Sequence, residues 1–329
     1  QETLGFCKNQ VIKESIMQSV DLLEQKKYDD IKVLIDAAMK AGSERDLGHD
    51  YIISLNDRLT ESVRDTLPTP WDSITNVMDG GLAGGELGVL VAPAGIGKTW
   101  CLQSLAAHLV RQGKTVVHYT LELNEAYVGL RYDTVFSGTP TANIKFHQEE
   151  VQKVIDGLKG KLIIKYYPTR SASVNTLASH LKQMEIQEIK PDVVIVDYAD
   201  ILKPTTFYKE KRHATGETYE NLRGMAGEFD IPIWTASQAN RSSLEEDVID
   251  ASKVAEDYSK VMTADFVMSV SRKVEDKIAN TGRVHVIKNR FGVDGITFPA
   301  NINTNTGLIE VYEASTQGGK EAQGKMDNS

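Results

Sequence analysis

The chain has 329 residues, 41% hydrophobic and 25% charged, which excludes a disordered or low-complexity polymer and allows one large or two smaller domains. No run of about 18 uninterrupted apolar residues exists, and the opening QETLGFCKNQ has no apolar leader segment, so no membrane partner is expected. A net charge of −9 argues against a surface coated with cations for nucleic acid while allowing a local basic loop, and two cysteines, Cys7 and Cys101, fit a reducing, cytoplasmic setting rather than a disulfide framework.

In chain order, apolar positions Val11, Ile12, Ile16, Val20 and Leu23 predict a helix over 8–25. Ile31, Leu34, Ile35, Ala38 and Met39 predict a second over 28–40, and Tyr51–Leu59 a third, shorter one. These helices carry too little apolar surface for a domain of their own and are expected to pack on something else. The chain does not begin with Met, so an N-terminal portion is expected to be missing. Pro68 and Pro70 mark a boundary. Residues 1–65 therefore read as a helical linker or remnant, 66–314 as the main domain, and the polar STQGGKEAQGKMDNS of 315–329 as a disordered tail.

Within the main domain, apolar runs alternate with helical periodicity. Strands are expected at Leu87–Ala92, Thr115–Leu121, Lys161–Tyr167, Asp192–Val196 and Ile231–Ala236. Between them, helices are expected after Thr99 and at about 124–136, 149–158, 174–189 and 216–229. That alternation implies an α/β fold with a mainly parallel sheet covered on both faces. Asp265–Ser271, Gly282–Lys288, Ile296–Asn301 and Leu308–Tyr312 follow with short turns, as antiparallel hairpins at the sheet edge.

The stretch VLVAPAGIGKT, Val89–Thr99, carries the strongest chemical signal. Pro93, Ala94, Gly95, Ile96, Gly97, Lys98, Thr99 and Trp100 join a strand to a helix. Glycines let the backbone approach an anion, and amides at a helix N-terminus point at phosphate oxygens. Lys98 can reach the β/γ-phosphates of ATP, and Thr99 can ligate Mg²⁺. Ala92 stands where the G-x-x-x-x-G-K-[ST] pattern has its first glycine. Asp197, at the end of VVIVD, can hold the same metal, because ligands of open parallel sheets bind at the carboxyl edge; an aspartate capping the next helix is the plainer alternative. Glu122 in HYTLELN either orients water for hydrolysis or caps a helix. Gln238 in TASQANR ends another strand and can hydrogen-bond a terminal phosphate. Lys288 and Arg290 in HVIKNRFG share one strand face, as a solvated surface or as cations offered to a neighbour.

Taken in order, GGLAGGELGVLVAPAGIGKT, YTLELN, VVIVDYADIL, TASQANR and HVIKNRFG resemble the DnaB-like replicative helicases, including their phage versions, over about residues 66–312. The resemblance implies a RecA-like P-loop ATPase domain that forms a homo-oligomer, a hexameric ring, around single-stranded DNA. It implies 5′→3′ translocation at a replication fork, nucleotide at subunit interfaces, N-terminal linker helices, and a primase and a helicase loader as partners in a bacterial or phage-infected cell. Lys98 and Thr99 match the family's phosphate-loop pair, Glu122 its catalytic glutamate, Asp197 its Walker B aspartate, Gln238 its nucleotide-sensing glutamine, and Lys288 and Arg290 its K-x-R finger acting in trans. The family's N-terminal collar is expected to be absent or partial. Two segments answer to its DNA loops. KPTTFYKEKRHAT offers Lys209, Lys211 and Arg212 beside aromatic rings. SKVAEDYSKVMTAD offers Glu256, Tyr258 and Lys260, with Ala255 where arginine is common and Tyr258 where glycine is common. The acidic EEDVIDA beside it is expected to face away from phosphates. Two other readings use the same residues: a RecA- or KaiC-like ATPase that does not unwind DNA, and a non-hydrolysing interaction protein whose cradle Ala92 impairs.

Overall fold

The computed structural model describes residues 64–206, 211–240, 243–244, 246–251 and 259–313, with scattered positions among 13–35 and Gly324; the side chains of 211–213 are not described. The chain divides into two compact units, Gln1–Arg64 and Asp65–Ser329. In the first, the described residues of the stretch 8–25 are helical, and on them Ile16, Met17, Val20 and Leu23 are more than half exposed. The third N-terminal helix falls outside the described residues, as does the tail apart from Gly324.

The second unit is built on a nine-stranded sheet. Its strands are β3 (Leu87–Ala92), β4 (Thr115–Thr120), β5 (Lys161–Tyr166), β6 (Val193–Asp197), β7 (Ile233–Gln238), β8 (Phe266–Ser271), β9 (Thr281–Asn289), β10 (Thr297–Asn303) and β11 (Leu308–Val311). A two-stranded ribbon, β1 (Thr66–Leu67) with β2 (Leu82–Ala83), precedes it. The spatial order is β11-β10-β9-β8-β3-β7-β6-β4-β5. Neighbours from β8 to β5 pair in parallel, and β9, β10 and β11 are added as antiparallel strands. The mainly parallel sheet with an antiparallel edge is therefore as expected. β6 and β7 reach one and two residues further than the sequence pattern placed them, so Asp197 and Gln238 are the last residues of their strands.

Helices cover both faces, because strands such as β3 and β6 are apolar on both sides. On one face lie α1 (Asp72–Val77), α2 (Lys98–Arg111) and α3 (Glu125–Ser137), packing Ile74, Leu102, Leu105, Val128 and Tyr132 against Leu90, Ile195 and Phe266. A helix at Gln148–Asp156, α4, follows α3 in the chain. On the other face lie α5 (Val174–Ile186), α6 (Lys211–Phe229) and the short α7 (Ser259–Thr263). They pack Leu177, Leu181, Tyr219, Leu222 and Val261 against Val89, Val117, Val196 and Val267. α8 (Val274–Ala279) joins β8 to β9. The hairpin edge is tied down from far away in sequence: Trp71 Nε1 donates to the carbonyl of Ile309 (2.9 Å) and Ser73 Oγ to that of Val311 (3.1 Å).

Candidate nucleotide site

β3 leaves the core and turns into α2 within five residues. Gly95 (φ 75°) and Gly97 (φ 117°) hold left-handed conformations that a Cβ disfavours. Gly97 is the residue before α2 and supplies no side-chain cap, which leaves the first amides of that helix facing the cleft. Ala92 belongs to β3 and is absent from the left-handed positions, so its methyl is compatible with the backbone there. Ala94 and Gly95 are exposed at the mouth, whereas Pro93 is buried and Ile96 turns into the core at 1% exposure. A cleft of about 300 Å³ opens beside the loop, lined by Gly95, Gly97, Lys98, Thr99 and Trp100 and, from other strands, by Glu122, Asp197 and Gln238.

Strand register brings those residues together. β7 lies between β3 and β6, and Gln238 is paired with Ala92. Asp197 is paired with Thr120 on β4, and Glu122 follows two residues beyond it, exposed at the rim. Lys98 Nζ folds back to donate to the carbonyls of Ala92 (3.1 Å) and Pro93 (3.2 Å). Burial lowers its pKa, against the pull of Asp197, Glu122 and Asp200.

Asp197 is 2% exposed, and its Oδ1 has no partner among the described residues. Burial, reinforced by Glu122, raises its pKa to about 6, although a hydrogen bond from Thr99 and the charges of Lys98 and Arg131 oppose the shift. A buried carboxylate oxygen left open beside a threonine hydroxyl is a hard-oxygen donor pair that suits Mg²⁺. Among the described residues no three His, Cys, Asp or Glu side chains converge as a self-sufficient metal cage. The residues thus fit an ion that takes its remaining ligands from phosphate and water.

Lys288 and Arg290 lie elsewhere. Lys288 is paired with Val267, which is paired with Val89 near the start of β3. Its Nζ donates to the carbonyls of Val261 (2.9 Å) and Met262 (2.5 Å) on α7. Arg290 donates to Asp265 Oδ1 (2.6 Å), and that carboxylate also accepts the amide of Leu87, the first residue of β3. The phosphate loop starts at the other end of β3, roughly 16 Å along the strand. Lys288 and Arg290 are therefore remote from the cleft of their own chain.

A family profile described as the DnaB-like helicase C terminal domain matches residues 67–302. The chain belongs to this family. The DnaB-like replicative helicase of Enterobacteria phage T4 is 28% identical over 284 residues, covering 81% of this chain and 60% of that protein. The replicative DNA helicase DnaB of Helicobacter pylori is 21% identical over 182 residues, 54% of this chain and 37% of that one. The chain thus spans about 60% or less of the length of these relatives. Its fold resembles a structure solved as an ATPase domain (TM-score 0.67, 17% identity, 79% of this chain and 97% of that one). It also resembles a DnaB-like replicative helicase solved in a study of its interactions with primase (TM-score 0.71, 17% identity, 91% and 75%). The RecA-like DnaB fold expected from the motifs is the fold observed.

The DnaB motifs leave some site residues unmarked. Arg131 lines the cleft from α3 and lies over the rings of Trp100 (5.2 Å) and Tyr127 (5.7 Å). Tyr198 and Thr304 also line it, the latter from the β10–β11 turn. An arginine on a periodic helix and a threonine in a hairpin turn carry no signal in sequence; only the neighbouring E-L-N-E turn shows that α3 starts at the site. Of the residues assigned to DNA, Lys209, Glu256 and Tyr258 lie outside the described residues, and Lys211 and Arg212 open α6 with undescribed side chains. Lys260 corrects an expectation. It is 2% exposed and faces inward, with Nζ 2.9 Å from Asp200 Oδ1 and 3.2 Å from Ser237 Oγ, so it is not a surface cation in this structure. Within the acidic stretch, Asp247 is held by Lys273 (2.9 Å) and Arg283 (3.3 Å).

Proposed function

We propose that this chain is the ATP-driven motor portion of a replicative DNA helicase, a ring-forming translocase that moves 5′→3′ on single-stranded DNA and separates duplex at a fork. The observation that carries this reading is the convergence of Lys98, Thr99, Asp197, Glu122 and Gln238 on one cleft in a member of the DnaB family.

In this reading the α2 amides and Lys98 bind and orient the triphosphate of ATP. Thr99 and Asp197 would hold Mg²⁺, which when bound neutralises charge on the phosphate oxygens. Glu122 accepts a proton from the attacking water, its exposed position leaving it free to reach a solvent-side nucleophile. Gln238 donates its side-chain amide to the terminal phosphate. Lys288 and Arg290 stabilise developing charge at the cleft of the next subunit, a role favoured by their distance from their own cleft. Cations from 203–215 and backbone from 241–263 contact the DNA strand. A hexameric assembly, a primase and a helicase loader complete the partners, in the cytoplasm of a bacterial or phage-infected cell. Among the described residues no helix is long and apolar enough to cross a membrane.

The test is phosphate release with and without oligo-dT, together with strand displacement on a fork with a 5′ tail. Stimulated release and displacement are expected. Release that ignores oligo-dT, in a chain that binds ATP, would overturn the motor reading.

A further inference from the structure

Beneath Gln238 lies a charge pair, its lysine buried and its aspartate half-buried, that nucleotide binding does not by itself require. Asp200, in the turn after β6, places both carboxylate oxygens among four groups from three other elements. Oδ1 accepts from Lys260 on α7 (2.9 Å) and from the Tyr219 hydroxyl on α6 (2.8 Å). Oδ2 accepts the backbone amide of Gln238 (2.9 Å) and the Ser237 hydroxyl (3.1 Å) on β7. Lys260 also donates to Ser237 Oγ (3.2 Å), and the next carbonyls on its helix, Val261 and Met262, accept Lys288. A lysine 2% exposed is held only where its ammonium is fully met.

We propose that Asp200 and Lys260 are positioning residues that couple the nucleotide-facing end of β7 to α7, and through α7 to Lys288. The amide that fixes the Gln238 backbone and the ammonium that fixes α7 share one carboxylate, so a displacement of Gln238 toward bound phosphate changes the geometry in which Lys260 is held. The carbonyls that hold Lys288 are one and two residues further along the same five-residue helix. A short helix moves as one body, so the two ends of this chain of contacts are not independent. The segment between β7 and α7, assigned above to DNA, is tethered at both ends by the same pair. The inference rests on the reading of the cleft as a nucleotide site.

Hydrogen exchange on the full chain, with and without AMP-PNP and Mg²⁺, tests it. In the unsubstituted chain the analogue is expected to change exchange in the 259–263 amides by on the order of tenfold, the effect of making or breaking a charge-assisted hydrogen bond. Lys260→Met and Asp200→Asn are each expected to abolish that response, and the double variant to lose no more than either, since the pair acts as one unit. Affinity for a fluorescent ATP analogue should change by less than about threefold in Lys260→Met, as Lys260 does not line the cleft. A variant that keeps the response overturns the coupling, as does an unsubstituted chain that binds the analogue without any response at 259–263. A merely structural pair would speed exchange equally with and without analogue. Failure of the unsubstituted chain to bind the analogue would instead sink the nucleotide site, and the coupling with it.

Discussion

Two buried side chains show how local chemistry is set by surroundings. His118 on β4 has Nδ1 2.7 Å from the Tyr132 hydroxyl, while Nε2 has no partner among the described residues. Burial lowers its pKa from 6.5 to about 3, so the folded ring resists a proton that the unfolded imidazole accepts. The stability it contributes is fully present above the unfolded value and is lost as pH falls from there toward about 3, at up to about 1.4 kcal/mol per pH unit. Urea unfolding at about pH 7 and about pH 5 should show a smaller difference for His118→Asn than for the unsubstituted chain. Asp265 is also lost as a stabiliser toward acid, for a different reason. Burial would raise its pKa, but hydrogen bonds from Arg223, the Leu87 amide and Arg290 hold it below the ordinary carboxylate value. Its contribution is present above the unfolded pKa and is lost as pH falls through the depressed folded one. Asp265→Asn should therefore destabilise the chain near neutrality and narrow the gap in acid. At the cleft, Glu122→Gln is expected to lower ATP turnover by about 10²–10⁴-fold while leaving nucleotide binding in place, read by phosphate release against analogue titration.

Among the elements, α2 does two jobs that pull its sequence in different directions. Its first turn has no side-chain cap, which would be a defect in an ordinary helix and here leaves its first amides open to the cleft. The rest of the helix is held by packing instead, with Cys101, Leu102, Leu105, Leu109 and Val110 buried against the sheet. The Cys101 thiol is pushed up to about 12 by burial, which makes it a packing residue rather than a reactive one. Leu102→Ala should cost about 2–5 kcal/mol of stability, read as a lower denaturant midpoint. Gly97→Ala tests the other end. At φ 117° an alanine is strained by about 1–3 kcal/mol, so the loop must shift or the chain destabilise, and analogue affinity is expected to fall with little loss of global stability.

For the molecule as a whole, the decisive fact is which ends of the sheet carry which groups. The phosphate loop, Asp197 and Gln238 stand at the carboxyl ends of the parallel strands, whereas Arg290 bonds the aspartate that also holds the start of β3. If the finger acts only in trans, two defects should complement. Arg290→Ala keeps an intact cleft and Glu122→Gln keeps an intact finger, so mixing two nearly inactive proteins should restore phosphate release at mixed interfaces. An arginine finger contributes about 10³–10⁵ in rate, so even a minority of such interfaces is measurable. A mixture no more active than its components would contradict action in trans.

How much of this was legible in sequence depended on the range of the interaction. Strands such as Leu87–Ala92 could be read because an apolar, β-branched run specifies a doubly covered strand locally, and the G-K-T turn because its chemistry is contained in a few consecutive residues. Strand ends were harder. β7 runs to Gln238 rather than Ala236, because its pairing with β3 continues to Ala92 and outweighs the local polarity of Ser237 and Gln238. Arg131 reaches the cleft only because α3 packs beside α2, and Lys260 reads as a surface cation until Asp200, far earlier in the chain, is brought against it. Local covalent order and side-chain periodicity thus determined the elements and the chemistry of the phosphate loop. The assembly of Lys98 and Thr99 with Glu122, Asp197 and Gln238 into one cleft, the placement of Lys288 and Arg290 away from it and the burial of Lys260 were decided by strand order and helix packing, because those contacts join segments whose proximity no local pattern encodes.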